Sequence, residues 1–189
     1  AAEWVRAAFT ELGFAARMTK KGGVLIDLGG AGREDALLLE AHVDTLGAMI
    51  AEIKASGRLR ISNLGGLRAE NTEAENVRVY TRDGRVHEGT IQLCNASVHV
   101  NGSYGDVKRS FDTMEVLLDE PVSSAEDVRA LGLEVGDVVC PEPRTRITKS
   151  GYIKSRFLDD KLSVGILLGL GRFMADGGLV PKRRVYIHV

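Results

Sequence analysis

The first part of the chain changes its hydrophobic period from that of a helix to that of a strand. Two short strand-like runs at residues 14–19 and 24–28 are separated by the turn residues Lys20-Lys21-Gly22-Gly23. Before them, and ahead of Gly13 as a typical helix stop, apolar residues recur at helical spacing: Trp4, Val5, Ala8, Phe9 and Leu12. The pattern predicts an amphipathic helix followed by a β-hairpin.

A nearly continuous apolar run then covers residues 36–41, and residues 185–189 have the same character. Such runs are typical of strands that are buried on both faces of a mixed sheet. Residues 159–177 return to helical spacing, with one predicted apolar face: Leu162, Ile166, Leu167, Leu170, Phe173 and Met174. These elements predict an α/β fold class with a mixed sheet in which residues 36–41 form a central strand.

The segment between residues 47 and 144 has a different character. Turn signals such as Ser56-Gly57 and Asp83-Gly84 separate short strand-like runs, and Ser123-Ser124-Ala125-Glu126 is typical of a capping box. The predicted strands cover residues 48–53, 58–61, 77–81, 86–93, 113–118 and 138–140. We therefore predict an α/β domain of residues 1–46 and 145–189, interrupted by a β-rich insertion of residues 47–144.

Charge and hydropathy exclude two classes of partner. The 189 residues carry 25 basic and 26 acidic side chains, for a formal net charge of −1. No basic face is predicted, so we expect no nucleic acid partner. The longest apolar stretch, residues 162–170, is shorter than the roughly 20 residues that a bilayer requires, so we expect no membrane span. We also expect no secretory signal at the start of the printed sequence.

The number and spacing of the cysteines indicate the cellular compartment. Cys94 and Cys140 lie far apart and belong to no CxxC or Cys/His pattern, so neither a disulfide framework nor a zinc finger is predicted. We expect both to be small core residues of a protein in a reducing compartment, the cytoplasm.

Candidate chemistry lies at the two ends of the predicted insertion. At the first end, strand alternation would place Glu40, His42 and Asp44 on one face, with the imidazole between two carboxylates. A neutral imidazole binds divalent transition metals, and a nearby carboxylate orients it by accepting its other ring proton. His42 is therefore a candidate metal ligand, with Asp44 as the candidate orienting residue.

At the second end, the adjacent residues Asp159 and Asp160 open the long predicted helix. One carboxylate can bridge two metal ions while its neighbour caps the helix. In open α/β sheets, ligands bind beyond the carboxyl ends of the strands, where both motifs can lie. This makes Asp159 a second candidate metal ligand.

Each motif also has an ordinary structural explanation. Histidine at a strand end is often a surface or core residue without a ligand, and acidic residues favour the first turn of a helix because of its dipole. Among the other histidines, we predict His87 to lie on the surface and His188 to be packed or hydrogen-bonded within its strand. Neither motif alone decides between these explanations.

The order of several motifs along the chain favours the metal-binding explanation, because together they resemble the tetrahedral aminopeptidase family of dinuclear metallopeptidases. The resemblance covers nearly the whole chain, and its relatives include glutamyl and deblocking aminopeptidases and some proteins labelled as endoglucanases. The motifs that carry it are Ala41-His42-Val43-Asp44-Thr45-Leu46-Gly47, Leu64-Gly65-Gly66, Gly89-Thr90-Ile91, Ala130-Leu131-Gly132, Val135-Gly136-Asp137 and Leu158-Asp159-Asp160-Lys161. The resemblance implies a hydrolase-like metallopeptidase domain that is interrupted by a β-rich domain for oligomerisation.

The resemblance also implies roles for individual residues. His42 would be a terminal ligand of one metal ion, Asp44 the residue that orients it, and Asp159 the carboxylate that bridges two divalent ions, zinc or cobalt. Asp160 would be a structural neighbour of Asp159, joined to it by a cis peptide bond. His99 falls near a Pro-His-Leu segment of some relatives, but a valine replaces the proline, and we assign it no metal role.

The sequence departs from the family pattern in three places. Thr45 stands where many relatives have glutamate, and Lys161 where many have arginine, which bears on substrate preference. In the family, a strand like residues 185–189 is followed by a Glu-Glu pair with the general base and a metal ligand, and later by an aspartate and a histidine ligand. The printed sequence stops before them. We therefore expect a fragment that is inactive alone.

The function implied for the intact protein is that of a metal-dependent aminopeptidase, acting on peptide substrates as a homo-oligomer, with a tetrahedral dodecamer as one form. Two alternatives remain open at this point. One is a glycanase with a related metal site, although glycoside hydrolysis normally uses two carboxylates that flank the bond. The other is a non-catalytic assembly protein of the same fold. The preferred N-terminal residue is not predicted.

Overall fold

The structure is a computed structural model that describes residues 1–189, apart from the side chain of Arg33. It divides into two compact units, residues 1–44 with 157–189 and residues 45–156. The sequence placed the second boundary after residue 144. In the structure, residues 145–156 belong to the β-rich unit, where Arg156 donates a hydrogen bond to the carbonyl of Asn71 and forms an ion pair with Glu75.

Helices and strands are mixed near both ends of the chain, and strands predominate in its middle. They are α1 (Ala2–Glu11), β1 (Ala15–Met18), β2 (Val24–Asp27), β3 (Gly32–Glu40), β4 (Gly47–Ile53), β5 (Leu59–Leu64), β6 (Asn76–Tyr80), β7 (Val86–Leu93), β8 (Met114–Leu118), α2 (Ala125–Ala130), β9 (Val138–Pro141), β10 (Arg146–Ile147), β11 (Ile153–Lys154), α3 (Leu158–Gly177) and β12 (Arg183–His188).

The first unit is built on a mixed four-stranded sheet in the order β1-β2-β12-β3. Strand β12 runs antiparallel to β2 and parallel to β3. Side chains from α1, α3 and one face of the sheet form its core, which includes Phe9, Ile26, Val164 and Ile187. This arrangement confirms the predicted α/β fold class with a mixed sheet.

The prediction that residues 36–41 form a central, doubly buried strand is wrong. Strand β3 lies at one end of the strand order, and Leu37 and Leu38 are 41% and 50% exposed. In β12 only one face is buried: Val185 and Ile187, with Val189 just after the strand, are at most 8% exposed, and the residues between them are partly exposed. The end position of β3 in the sheet therefore leaves part of its apolar run exposed.

Helix α3 also presents a different face to the core from the one that the sequence pattern predicts. Val164, Gly171 and Met174 are its buried residues. Four members of the predicted face are exposed: Leu162, Ile166, Leu170 and Phe173. Likewise, Val5 and Phe9 of α1 are buried, but Trp4 is exposed. Among the helices that the structure describes, none combines the length and apolar character needed to cross a membrane.

The second unit is a closed barrel in the order β4-β5-β8-β7-β6-β9, with a separate hairpin of β10 and β11. Alternate residues of its strands point inward, so that strand β6 buries Val77 and Val79 and exposes the residues between them. Closure pairs every strand of the barrel on both sides, which removes free sheet edges. The predicted β-rich character of this segment is confirmed.

Two local predictions in the second unit need correction. His87, which was expected on the surface, is buried and only 9% exposed. Its Nδ1 atom lies 2.9 Å from Oε1 of Glu120. The cap of α2 is shifted by one residue, because Ser124 is the N-cap and its hydroxyl accepts a hydrogen bond from the amide of Asp127. The Asp127 carboxylate accepts in turn from the amide of Ser123, and these hydrogen bonds hold its pKa below the ordinary value for aspartate.

Candidate metal centre

The candidate centre lies at the carboxyl ends of two parallel strands. Strand β3 ends at Glu40 and its neighbour β12 at His188, and the amide of Ala41 donates to the carbonyl of His188 over 3.1 Å. The chain then leaves the sheet, so that His42 lies in an irregular segment directly beyond the strand ends. This is the edge of the sheet where α/β folds bind ligands.

The imidazole of His42 lies between two carboxylates. Its Nδ1 is 3.0 Å from Oδ1 of Asp44, and its Nε2 is 3.3 Å from Oδ1 of Asp159. The side chains of Asp44 and Asp159 are largely exposed, and that of His42 is half exposed. The structure therefore brings together the three residues that the sequence singled out, from two ends of the first unit.

The start of α3 explains how Asp159 reaches His42. Phe157 has a left-handed backbone conformation (φ 61°), and Asp159 and Asp160 are not helical although they fall within the bounds of α3. The Asp159–Asp160 peptide bond is cis, which confirms the expectation from the family resemblance. Oδ2 of Asp160 accepts a 3.4 Å hydrogen bond from the backbone amide of His42. Asp160 thus ties the two segments together while Asp159 faces the imidazole.

The donor atoms fit part of a zinc or cobalt site. Atoms bound at about 2.0–2.2 Å to a tetrahedral ion lie about 3.3–3.6 Å from each other. The 3.3 Å between Nε2 of His42 and Oδ1 of Asp159 therefore allows both atoms to bind one ion. A hydrogen bond from Nδ1 to Asp44 would leave the Nε2 lone pair for the metal. Two carboxylates flank the imidazole and a third, that of Asp160, accepts from the backbone amide of His42, so that the local negative charge favours a cation.

The described residues supply fewer ligands than a closed site needs. Across residues 1–189, leaving aside the side chain of Arg33, no group of three or more His, Cys, Asp or Glu is arranged to hold a metal ion. Catalytic zinc usually has three protein ligands and one water. His42 and Asp159 together are therefore a partial metal site.

Glu40 does not flank His42 as the strand pattern predicts. Because β3 ends at Glu40, alternation does not continue to His42, and Oε1 of Glu40 instead lies 3.1 Å from Nδ1 of His188. The expectation that His188 is hydrogen-bonded is confirmed. Both residues line a cavity of about 490 Å³ with His42 and Asp160, and Lys21 from the hairpin of β1 and β2 joins them. Sequence reasoning missed Lys21, since nothing in a lysine-glycine turn indicates proximity to His42.

Comparison with known proteins supplies an independent line of evidence. A family profile described as M42 glutamyl aminopeptidase matches residues 22–187. The protein YhfE of Bacillus subtilis (strain 168) is 48% identical over 150 residues, which are 79% of this chain and 43% of YhfE. The residues that the family profile matches include both segments of the candidate centre.

Solved structures agree on the fold. Aminopeptidase APDkam598 from the archaeon Desulfurococcus kamchatkensis superposes with a TM-score of 0.84 at 24% identity, over 100% of this chain and 49% of its own. The TET1 peptidase of Pyrococcus horikoshii, which can assemble into a tetrahedron or a large octahedral shell, superposes with a TM-score of 0.78 at 21% identity, over 98% of this chain and 53% of its own. The chain spans about half the length of the relatives that it matches.

Proposed function

Because this chain belongs to the M42 glutamyl aminopeptidase family, we propose that the whole protein is a metal-dependent aminopeptidase that releases N-terminal residues from peptides. In this proposal the chain supplies His42 and Asp159 as metal ligands and Asp44 as the residue that orients His42. The observation that carries it is the 3.3 Å approach of the His42 Nε2 atom to the Asp159 carboxylate.

Each residue has a separate task. Asp44 accepts the Nδ1 proton of His42, which selects the tautomer whose Nε2 atom can bind metal and fixes the plane of the ring. Asp159 has a second carboxylate oxygen that is open to solvent, so that it can bridge two ions. Asp160 holds the backbone of His42 and keeps the two metal-binding segments in register.

The metal ions, zinc or cobalt, supply Lewis-acid polarisation of the scissile carbonyl and lower the pKa of the attacking water when bound. The chain's own carboxylates balance the added positive charge. The general base and the remaining ligands lie, in this proposal, in the half of the relatives' length that this chain does not span. An active site of this kind is complete only in the longer protein.

We propose further that the protein is cytoplasmic and forms a homo-oligomer. The wide spacing of Cys94 and Cys140 suits a reducing compartment. The similarity to a TET1 peptidase that assembles into closed shells supports assembly of this chain as well, and the β-barrel unit is the part that we propose mediates it.

The test uses the full-length protein, with bound metal and hydrolysis of peptides measured together. His42→Ala and Asp159→Ala should each lower bound metal and reduce kcat/KM by at least about 10³-fold, because each removes a ligand. Circular dichroism should remain unchanged, since both side chains are exposed. Unblocked peptides should be hydrolysed, and N-acetylated peptides and cellulose oligomers should not.

His99→Ala and Asp176→Ala are the matched controls, because these exposed residues lie away from the candidate centre in sequence. They should retain metal and activity. Full activity of Asp159→Ala would refute the ligand assignment. Cleavage of cellulose oligomers in place of peptides would favour the glycanase alternative.

A further inference from the structure

Four cationic side chains share one face of the β10–β11 hairpin. The two strands pair antiparallel with Arg146 opposite Lys154. Arg144 and Arg156 lie just outside the two strands, where Arg144 has a left-handed backbone conformation (φ 50°) and the amide of Arg156 donates to the carbonyl of Pro143. The four cations lie on one face because they line the same cavity of about 360 Å³, together with Pro143 and Ser155.

The protein neutralises only part of this charge. Glu75 forms ion pairs with both Arg144 and Arg156, at 2.9 Å and 3.1 Å. Within the described residues, no ion pair joins Arg146 or Lys154 to a carboxylate. Four cations against one carboxylate leave the face with three uncompensated positive charges.

This arrangement disfavours the hairpin in which it occurs. Like charges directly opposite each other destabilise a strand pair, and β10 and β11 contain only two residues each. In addition, Nε of Arg156 is a buried donor without a hydrogen-bond acceptor in the described structure. Buried donors are normally paired. An anion on this face would relieve the repulsion and bring acceptor atoms to the arginine side chains.

The chemistry of the cations indicates the form of that anion. Arg146 and Lys154 lie opposite each other in the hairpin, and Arg144 and Arg156 line the same cavity, so that a ligand with several separate negative groups can contact more than one cation. Guanidinium groups bind carboxylates in a bidentate manner. The net charge of −1 on the whole chain disfavours long polyanions such as nucleic acids.

We propose that this face of the β10–β11 hairpin binds an acidic peptide segment, with several of its carboxylate side chains contacting Arg146, Lys154 and the neighbouring arginines. The site belongs entirely to the second unit and does not depend on the metal-binding role of His42. It would give the protein a preference for acidic peptides that is separate from any preference at the candidate metal centre.

The direct test is fluorescence anisotropy with the full chain and a short labelled peptide of alternating glutamate and alanine. A peptide with glutamine in place of glutamate should bind at least about tenfold more weakly, because charged hydrogen bonds of this kind are worth about 1.5–3 kcal/mol. The double variant Arg146→Gln, Lys154→Gln should lose a similar factor for the acidic peptide. Added salt should weaken binding.

The matched control is Arg129→Gln, Arg172→Gln, which removes the same charge from exposed positions elsewhere. It should change affinity by less than about twofold. An equal loss in both double variants would overturn the proposal, since only net charge would then matter. Stronger binding of an oligonucleotide, or competition by phosphate as effective as that by the acidic peptide, would also overturn it.

Thermal unfolding gives a second readout that a purely structural role would not produce. Without ligand, Arg146→Gln should leave the melting temperature unchanged or raise it, because it removes repulsion from Lys154. The acidic peptide should raise the melting temperature of the unsubstituted chain and not that of the double variant. A large loss of stability in Arg146→Gln alone would assign the cluster a structural role and refute the binding site.

Discussion

The Nε2 atom of His42 lies 3.3 Å from the Asp159 carboxylate, although the whole β-barrel unit separates these residues in the sequence. The backbone amide of His42 donates to the side-chain carboxylate of Asp160, which links the two segments, and the amide of Ala41 donates to the carbonyl of His188, which fixes the end of β3 against β12. The two donor atoms therefore approach each other because of the fold itself. A metal ion would bind to a partly preformed pair of ligands.

The first prediction concerns the orienting role of Asp44. Asp44→Ala in the full-length protein should lower metal affinity about 10–100-fold, the usual effect of losing the partner of a ligand histidine. Asp44→Asn should lose less, because its amide oxygen can still accept from Nδ1 of His42. Zinc titration by calorimetry measures both. Equal metal affinity in all three proteins would show that Asp44 does not orient the ligand.

The second prediction concerns the 189-residue chain by itself. With only His42 and Asp159 as ligands at the candidate centre, it should bind zinc weakly and show no peptidase activity. Equilibrium dialysis with zinc and a sensitive aminopeptidase assay measure the two properties. Tight stoichiometric zinc binding that survives in His42→Ala would place the metal at another site. Peptidase activity of this chain would contradict the need for further ligands.

A third prediction concerns the packing of α3 on α1. A Cβ atom at Gly171 would lie 2.7 Å from Cε1 of Phe9, which is fully buried. Gly171→Ala should therefore destabilise the first unit by about 1–3 kcal/mol, the usual range for overpacking. Chemical denaturation followed by circular dichroism measures the change.

Gly169→Ala is the matched control for this substitution. A Cβ atom there meets nothing within 4 Å, so alanine should stabilise the same helix by about 0.5–1 kcal/mol. The two substitutions should have opposite signs. Equal effects would mean that helix propensity, and not contact with Phe9, determines the response at Gly171.

The fourth prediction concerns the acid stability of the barrel unit. Burial favours the protonated form of Glu115, but hydrogen bonds from Lys54 and Arg58 outweigh it and lower its pKa. The ion pairs also raise the pKa of Lys54. Because the folded-state pKa of Glu115 lies below that of the unfolded chain, its contribution is fully present above about pH 4.3 and declines as the pH falls towards the folded value.

Glu115→Gln should therefore destabilise the barrel by about 1–3 kcal/mol at pH 7 and by less at pH 3.5. Urea denaturation at both pH values measures the difference. Glu52→Gln, which affects an exposed ion pair with Arg60, should cost less than about 1 kcal/mol. A loss for Glu115→Gln that is the same at both pH values would contradict a role for its charge.

The sequence predicted the fold class and selected His42, Asp44 and Asp159 as candidates. Neither of the two motifs was specific alone, and the order of several motifs along the chain, which resembles that of a known family, made the selection possible. The period of the hydrophobic pattern separated helices from strands along most of the chain. Motif order and hydrophobic period are both properties of the linear sequence, so they can be interpreted without knowing which segments meet.

Only the tertiary structure determined which residues each side chain contacts. An apolar run such as residues 36–41 shows that a strand forms, but the order of strands placed it at the end of the sheet with Leu37 and Leu38 exposed. Strand β3 ended at Glu40, so that this residue paired with His188 and left His42 to Asp44 and Asp159. The register of β10 and β11 likewise set Arg146 opposite Lys154. Strand order and register arise from pairing between distant segments, and the period of a single segment carries no information about its partner.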